Sequence, residues 1–316
     1  GRETGDALLR SVARRIERLA TAAAGRKALV ALAAGAAVIS WTSIFVRLAH
    51  VAPTVSAFYR MAFGGAMLAL VLIAQRRWEK PTSRDIAWMT LPAAAFALDL
   101  FLWHRSIAYV GPGLATLLGN FQVFVMALAG WLVYRERIGL RFLAGLALAF
   151  AGLWLLVGRG WDAFDPQYRI GVWFGILTGI AYALYMLTFR HAQKEKLTLG
   201  PMQLMCLNSV LCAVMLGAVA AFEGESFAIP DAQSLWALLA LALSGQVLGG
   251  LLIVWAMPQL PASVVGMMLL LQPGLSFALD VAIFGRPTTA LDWFGLAVSL
   301  AGIFLATAIK PRKSNS

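Results

Sequence analysis

Charge is what this sequence has least of. Only 13% of its 316 residues are Asp, Glu, Lys or Arg, while 60% are hydrophobic. Soluble domains average about 25% charged residues, so a water-soluble globular fold is excluded. Cysteine is scarce too: Cys206 and Cys212 are the only two, and their spacing suits neither a disulfide framework nor a metal site. The three histidines are scattered. No G-x-x-x-x-G-K-[ST], H-E-x-x-H or G-x-S-x-G stretch occurs, which excludes P-loop nucleotide hydrolysis and the corresponding hydrolase motifs. No metal, cofactor or enzymatic chemistry is expected. Any work must be driven by a gradient or run downhill.

What fills the chain instead is apolar runs. A helix needs roughly 20 apolar residues to cross a bilayer, and ten stretches qualify: 28–48, 54–75, 86–106, 112–134, 141–158, 170–190, 201–222, 234–257, 261–284 and 290–309. The loops between them are short. The expected fold class is an all-α integral membrane protein of ten transmembrane helices.

The net charge of +11 raises the possibility of a nucleic-acid partner, but the placement of the charges argues against one. With the N-terminus inside, most of the 26 Lys and Arg fall on one face. Arg47, Arg105, Arg159, Arg169 and Arg286 are left on the other, and Arg60 lies within a span. This is the positive-inside bias, and it expects both termini in the cytoplasm. The loop holding Glu223, Glu225 and Asp231 has no Lys or Arg, as an external loop can. Residues 1–27 are too charged for a signal peptide's n-region. Their apolar stripe (Leu8, Leu9, Val12, Ile16, Leu19), flanked by arginines, suits either a helix on an anionic leaflet or a solvated tail.

The second half repeats the first. At one constant offset Gln122 falls on Gln272, Gly145-Leu146-Ala147 on Gly295-Leu296-Ala297, and Ala151-Gly152 on Ala301-Gly302. At nearly the same offset Pro53 falls on Pro201 and Arg60 on Asn208. Five spans per half is an odd number, so the copies must be inverted relative to each other, the construction many secondary transporters use around one central site. The expected organisation is a basic segment at 1–27, one five-helix repeat at 28–158, a second at 170–309 and a cytoplasmic tail at 310–316. Gly171, Gly175 and Gly179 form a doubled GxxxG, a helix-contact stripe. Gly111-Pro112 and the pair Pro258 and Pro261 sit at equivalent joints and are candidate hinges, with ordinary loop turns as the alternative.

Polar side chains within spans are costly and should face protein or water. Gln122, Gln246 and Gln272 fall near mid-span, with Trp41, Asp99 and Asn120 about one turn outward. Asp99 and Trp103 are one turn apart on the same helix face. Trp41, Tyr59, Trp103, Tyr182, Tyr185 and Trp255 could line a polar centre. Amides and a charge ringed by aromatics suit a zwitterion with an apolar or aromatic side chain. The alternative is that the amides only bond helices together and the rings only fill space. Arg60 is expected to pair with a carboxylate or snorkel outward, and Asp280 to reach water. Asp99 is a candidate for cycling a proton.

Ser40-Trp41, Arg60, Ala108-Tyr109, Glu136, Gly145, Ala151-Gly152, Gln272-Pro273-Gly274, Gly295 and Ala301-Gly302, in this order, resemble the EamA-like transporters of the drug/metabolite transporter superfamily. Among these the chain is most similar to the YddG-type exporters of aromatic and other neutral amino acids. The resemblance covers roughly residues 28–309. It implies alternating access in a bacterial inner membrane, a small-molecule substrate and the bilayer as partners, and no nucleic acid. Drug and nucleotide-sugar carriers share the fold. The latter need several basic residues for the phosphates, whereas Arg60 alone lies well within a span. Two departures matter. Arg286 stands where the last hairpin usually opens on an acid, and span one has no acid for a single-glutamate proton antiport.

Overall fold

The computed structural model describes residues 25–135, 137–195, 197–256, 259–260 and 268–307. Among these residues there is no strand, and nine helices are long and apolar enough to cross a membrane. They are α1 (Gly25–Leu48), α2 (Pro53–Ala74), α3 (Ser83–Val110), α4 (Pro112–Val133), α5 (Leu140–Ala163), α6 (Pro166–Lys194), α7 (Pro201–Phe222), α8 (Ala232–Ile253) and α10 (Ala290–Thr307). The shorter α9 (Leu271–Phe284) lies between the last two. The expected stretch at 261–284 is thus helical over its second part. Pro258, Pro261, Glu136, the basic segment before residue 25 and the tail after residue 307 lie outside the described residues.

Local chemistry starts the helices where the sequence changes register. Pro53, Pro112, Pro166 and Pro201 open α2, α4, α6 and α7, where a missing N–H loses no helical bond and the fixed φ suits the first turn. Thr82 and Asp85 form a capping box on α3. Asp165 and Asp231 cap α6 and α8 through the N–H groups of Gln167 and Ser234.

Contacts between helix ends define two ends of the bundle. At the proximal end the Asp85 carboxylate accepts from the Thr198 N–H and hydroxyl, and Arg84 meets Glu195 at 3.3 Å. The Gln203 side chain bonds Glu79 there on both its donor and acceptor sides. At the distal end Glu223 accepts from Thr54 (2.7 Å) and pairs with Arg105 (2.5 Å), and His50 meets Asp231 (3.1 Å). Between the ends, large apolar side chains such as Leu70, Val133, Trp154 and Trp236 point outward and are more than half exposed. Such an exterior fits hydrocarbon rather than water.

The most extensive pairings are α3 with α6, α5 with α10 and α2 with α7. In the second of these, Gly145 lies against Gly302 and Ala306, and Gly152 against Gly295 and Ser299. The two helices are therefore antiparallel, and a Cβ on any of these four glycines would collide with the opposing backbone or side chain. Ser299 Oγ donates to the Ala149 carbonyl at 2.7 Å. Such a bond between membrane helices is worth about 0.6 kcal/mol, so close backbone packing is the larger contribution. The doubled GxxxG of α6 works similarly: Gly171 faces Tyr109 and Val110, Gly175 faces Leu118, and Gly179 faces Gln122.

Three helices are interrupted along their length, and a fourth opens on a turn. α1 has a turn at Trp41, α4 at Asn120 and Phe121, and the chain entering α9 turns at Leu270. In α8, Leu243–Leu248 widens into a π-helix. Irregular backbone at membrane depth persists only where protein or an aqueous cavity satisfies it. Of these, the π-turn of α8 carries Gln246 to the polar centre.

Candidate functional site

Arg60 of α2 is the hub of the buried polar cluster. It is 9% exposed, and its guanidinium lies 5.5 Å from the centre of the Trp103 ring, within cation–π range. Its Nε donates to Gln246 Oε1 at 3.3 Å. Gln246 Nε2 in turn approaches Ser209 Oγ of α7 at 3.5 Å, and Ser209 donates to the Met205 carbonyl. This relay sets the orientation of the amide. The π-turn is what carries Gln246 over α2. Its side chain lies against Gly64, where a Cβ would come within 2.6 Å of Gln246 Cγ. Next to it Gly245 leaves room for Arg60, whose Nη2 would lie 3.1 Å from a Cβ there. π-turns inside α-helices recur at functional sites because the extra residue re-aims a side chain.

Asp99 of α3 stands one turn before Trp103 and is 6% exposed. It is an electrostatic neighbour of Arg60 and Tyr182, yet no ion pair within 4.0 Å joins it to Arg60. Among the described residues neither carboxylate oxygen has a hydrogen-bond partner. Its backbone carbonyl accepts from Thr178 (3.3 Å), which holds α3 to α6. Tyr182 and Tyr185 flank it on α6, their rings 5.7 Å apart, and Phe96 stacks on Tyr185 at 4.5 Å. His104, fully buried, meets Ser56 Oγ through Nδ1 at 2.7 Å. Ser56 Oγ also lies 2.9 Å from the Pro53 carbonyl. Chemically, the cluster offers a guanidinium for a carboxylate, a carboxylate for an ammonium, and rings on both sides for an apolar body.

The expected site residues divide into three groups. Asp99, Trp103, Tyr182, Tyr185 and Gln246 come together around Arg60. Trp41, Asn120, Gln122 and Gln272 sit at or beside the helix interruptions. Of these, Asn120 bonds back to the Thr116 carbonyl (2.8 Å), Gln122 Oε1 is buried without a partner among the described residues, and Trp41 is 39% exposed and stacked on Phe45. Tyr59 and Trp255 stand apart. The Tyr59 hydroxyl donates to the Phe227 carbonyl in the distal loop, and Trp255 is 52% exposed. The sequence reading gives Arg60 a pairing or snorkelling role, whereas it meets an amide and a ring. Ser209, Phe96 and Thr178 escape that reading because a hydroxyl or a phenyl in an apolar run carries no signal of its own.

Asp280 also departs from expectation. Far from reaching water, it is 0% exposed and sits between Arg286 (3.2 Å) and Arg47 (3.7 Å). It accepts from the Gly113 N–H at 3.1 Å. Arg286 also donates to the Val110 carbonyl and to the Tyr168 hydroxyl (2.9 Å). The α3–α4 joint is thereby clamped to α9 at the distal end. Gly111 makes the joint possible: its φ of +88° strains any side chain, and a Cβ would stand 2.7 Å from Asp280 Oδ2.

Comparisons with known proteins agree with this architecture. A crystal structure of a protein superposes with a TM-score of 0.62 at 17% identity, covering 89% of this chain and 98% of the other, a likeness of fold alone. An uncharacterized transporter of Haemophilus influenzae is 27% identical over 194 residues. That alignment takes in 58% of this chain and spans 62% of the relative's length. The family description of the EamA-like transporters matches twice, over residues 26–158 and 169–308, and the protein therefore belongs to the EamA-like transporter family.

Proposed function

We propose that this protein exports neutral amino acids, aromatic ones among them, across a bacterial inner membrane by alternating access. The observation that carries the reading is the unpaired arrangement of Arg60 and Asp99. A guanidinium and a carboxyl group are buried beside the same aromatic walls, and no ion pair within 4.0 Å joins them. Burying a charge without a partner is expensive, so both are available to a ligand that brings the complementary pair. A zwitterion does so: its carboxylate meets Arg60, its ammonium meets Asp99, and its side chain lies among Trp103, Tyr182 and Tyr185.

An inverted repeat, with both termini cytoplasmic and the distal end outside, accounts for further features. α5 and α10 cross antiparallel at the equivalent positions Ala149 and Ser299, and the interruptions at Asn120 and Leu270 are equivalent as well. In this reading the domain boundaries are those of the two five-helix repeats, 28–158 and 170–309, flanked by the cytoplasmic ends. Gln122 and Gln272 then line the path near mid-span, with Trp41 further toward the distal side. Gly111 and Pro112 are the distal hinge, held shut by Asp280 and Arg286. Pro258 and Pro261 would serve the proximal side.

The test is uptake into proteoliposomes from purified protein, with a panel of amino acids and an imposed pH gradient. The expected result is saturable flux of phenylalanine-like substrates. Flux that no neutral amino acid competes for would overturn the substrate assignment. Flux indifferent to the pH gradient would make the process facilitated and remove Asp99 as a proton carrier.

A further inference from the structure

A cavity lies away from the central cluster, at the distal end between the α5–α6 joint and the α9–α10 loop. Its volume is about 300 Å³, at the small end of the range for small-molecule sites. Arg159, Arg286 and Tyr168 line it together with the rings of Phe164 and Phe277. The starts of α6 and α10 flank it, and helix N-termini favour negative charge.

The donors there are not used up. Arg286 Nη1 serves Val110 and Asp280, and Nη2 gives one bond to the Tyr168 hydroxyl. Tyr168 accepts that bond, and among the described residues its own proton has no acceptor. Arg159 Nε is spent on the Leu155 carbonyl, while its Nη2 reaches Asp292 only at 3.6 Å. A carboxylate placed between Tyr168 and the two arginines would gain three donors. The body attached to it would lie on Phe164, itself fixed by Tyr168 (4.4 Å), while the fully buried Phe277 closes the floor. Asp292, 19% exposed on the same wall, disfavours ligands with several negative charges.

We infer that this cavity is a second binding site, selective for small organic monocarboxylates with a flat or apolar body. It is independent of the central site and lies beside the clamp, since Arg286 belongs to both.

Benzoate is a suitable probe and benzamide its neutral counterpart, titrated by ligand-observed NMR onto the full chain in nanodiscs. Saturable benzoate binding, with benzamide at least about tenfold weaker, is expected from the loss of charge-assisted bonds. Arg159→Gln and Tyr168→Phe should each weaken benzoate by roughly five- to tenfold. Arg60→Gln should leave it unchanged, which separates this site from the central one. Three results would each overturn the assignment: no saturable benzoate binding, equal binding of benzamide, or dependence on Arg60 in place of Arg159 and Tyr168. Arg159 is exposed and Tyr168→Phe removes a single oxygen. A matching thermal midpoint for each variant confirms that a loss of binding is not a loss of fold.

Discussion

Asp99 and Asp280 are both carboxylates buried within the bundle, and both have arginines nearby, yet their surroundings differ. Asp280 has two guanidiniums within 4 Å and a backbone N–H on the same oxygen as the nearer one. Asp99 has an arginine in its electrostatic neighbourhood but no direct partner among the described residues. A carboxylate with one oxygen held by an arginine and a backbone N–H acts as a fastener, although its other oxygen has only Arg47 at 3.7 Å and no hydrogen bond among the described residues. One left without donors is costly to the resting protein and useful only if something else completes it. The distal clamp and the central cluster thus use the same chemistry for opposite purposes.

The comparison can be broken most easily at the clamp. Asp280→Ala leaves Arg286 and Arg47 without their shared anion. Removing one member of a buried pair typically costs about 3–5 kcal/mol. A loss of that size should appear in unfolding of the purified variant in detergent or nanodiscs. Asp99→Asn should show no such loss, and a comparable destabilisation at Asp99 would erase the distinction. At the centre, Arg60→Gln and Asp99→Asn should each lower flux by roughly 100-fold, the loss of one or two charge-assisted bonds to substrate. Near-normal transport in either would remove the zwitterion reading.

Smaller effects sharpen the picture. Gln246→Ala deprives Arg60 Nε of its acceptor without removing the charge, so a rise in KM of about fivefold with little change in kcat is expected. Trp41→Ala and Gln122→Ala should cut flux in a folded protein if the interrupted helices line the path. The smallest effect belongs to the exposed distal pair. The His50 imidazole and the Ser234 N–H hold Asp231 down to about 2, below the ordinary 3.8. A depressed carboxylate contributes stability above its unfolded value and loses it as pH falls through the folded one. The difference in thermal midpoint between wild type and Asp231→Ala should therefore be constant above about pH 4 and vanish towards pH 2.

Much of the architecture was legible before any coordinates. The apolar runs mark the helices because hydrocarbon enforces a length and a composition on anything that crosses it. The matched glycines at 145, 152, 295 and 302 mark a close crossing because only glycine admits another backbone at that distance. Asp99 and Trp103 could be read as one face from their spacing. The roles of the two buried charges could not. Arg60 was expected to pair with a carboxylate or snorkel outward and Asp280 to reach water, and what each does instead rests on which helices pass nearby. The π-turn at Leu243–Leu248 was equally hidden.

The sequence by itself determined that this chain crosses a membrane many times, that its halves are related, and which polar groups must avoid lipid. These follow from solvent exclusion, which acts on each segment separately. Only the tertiary structure decided that Asp280 meets two arginines while Asp99 meets none directly, that Gln246 turns towards Arg60, and that α5 packs on α10 within one chain. Such outcomes depend on distances between residues far apart in sequence, and a few ångströms separate a closed ion pair from two groups left apart.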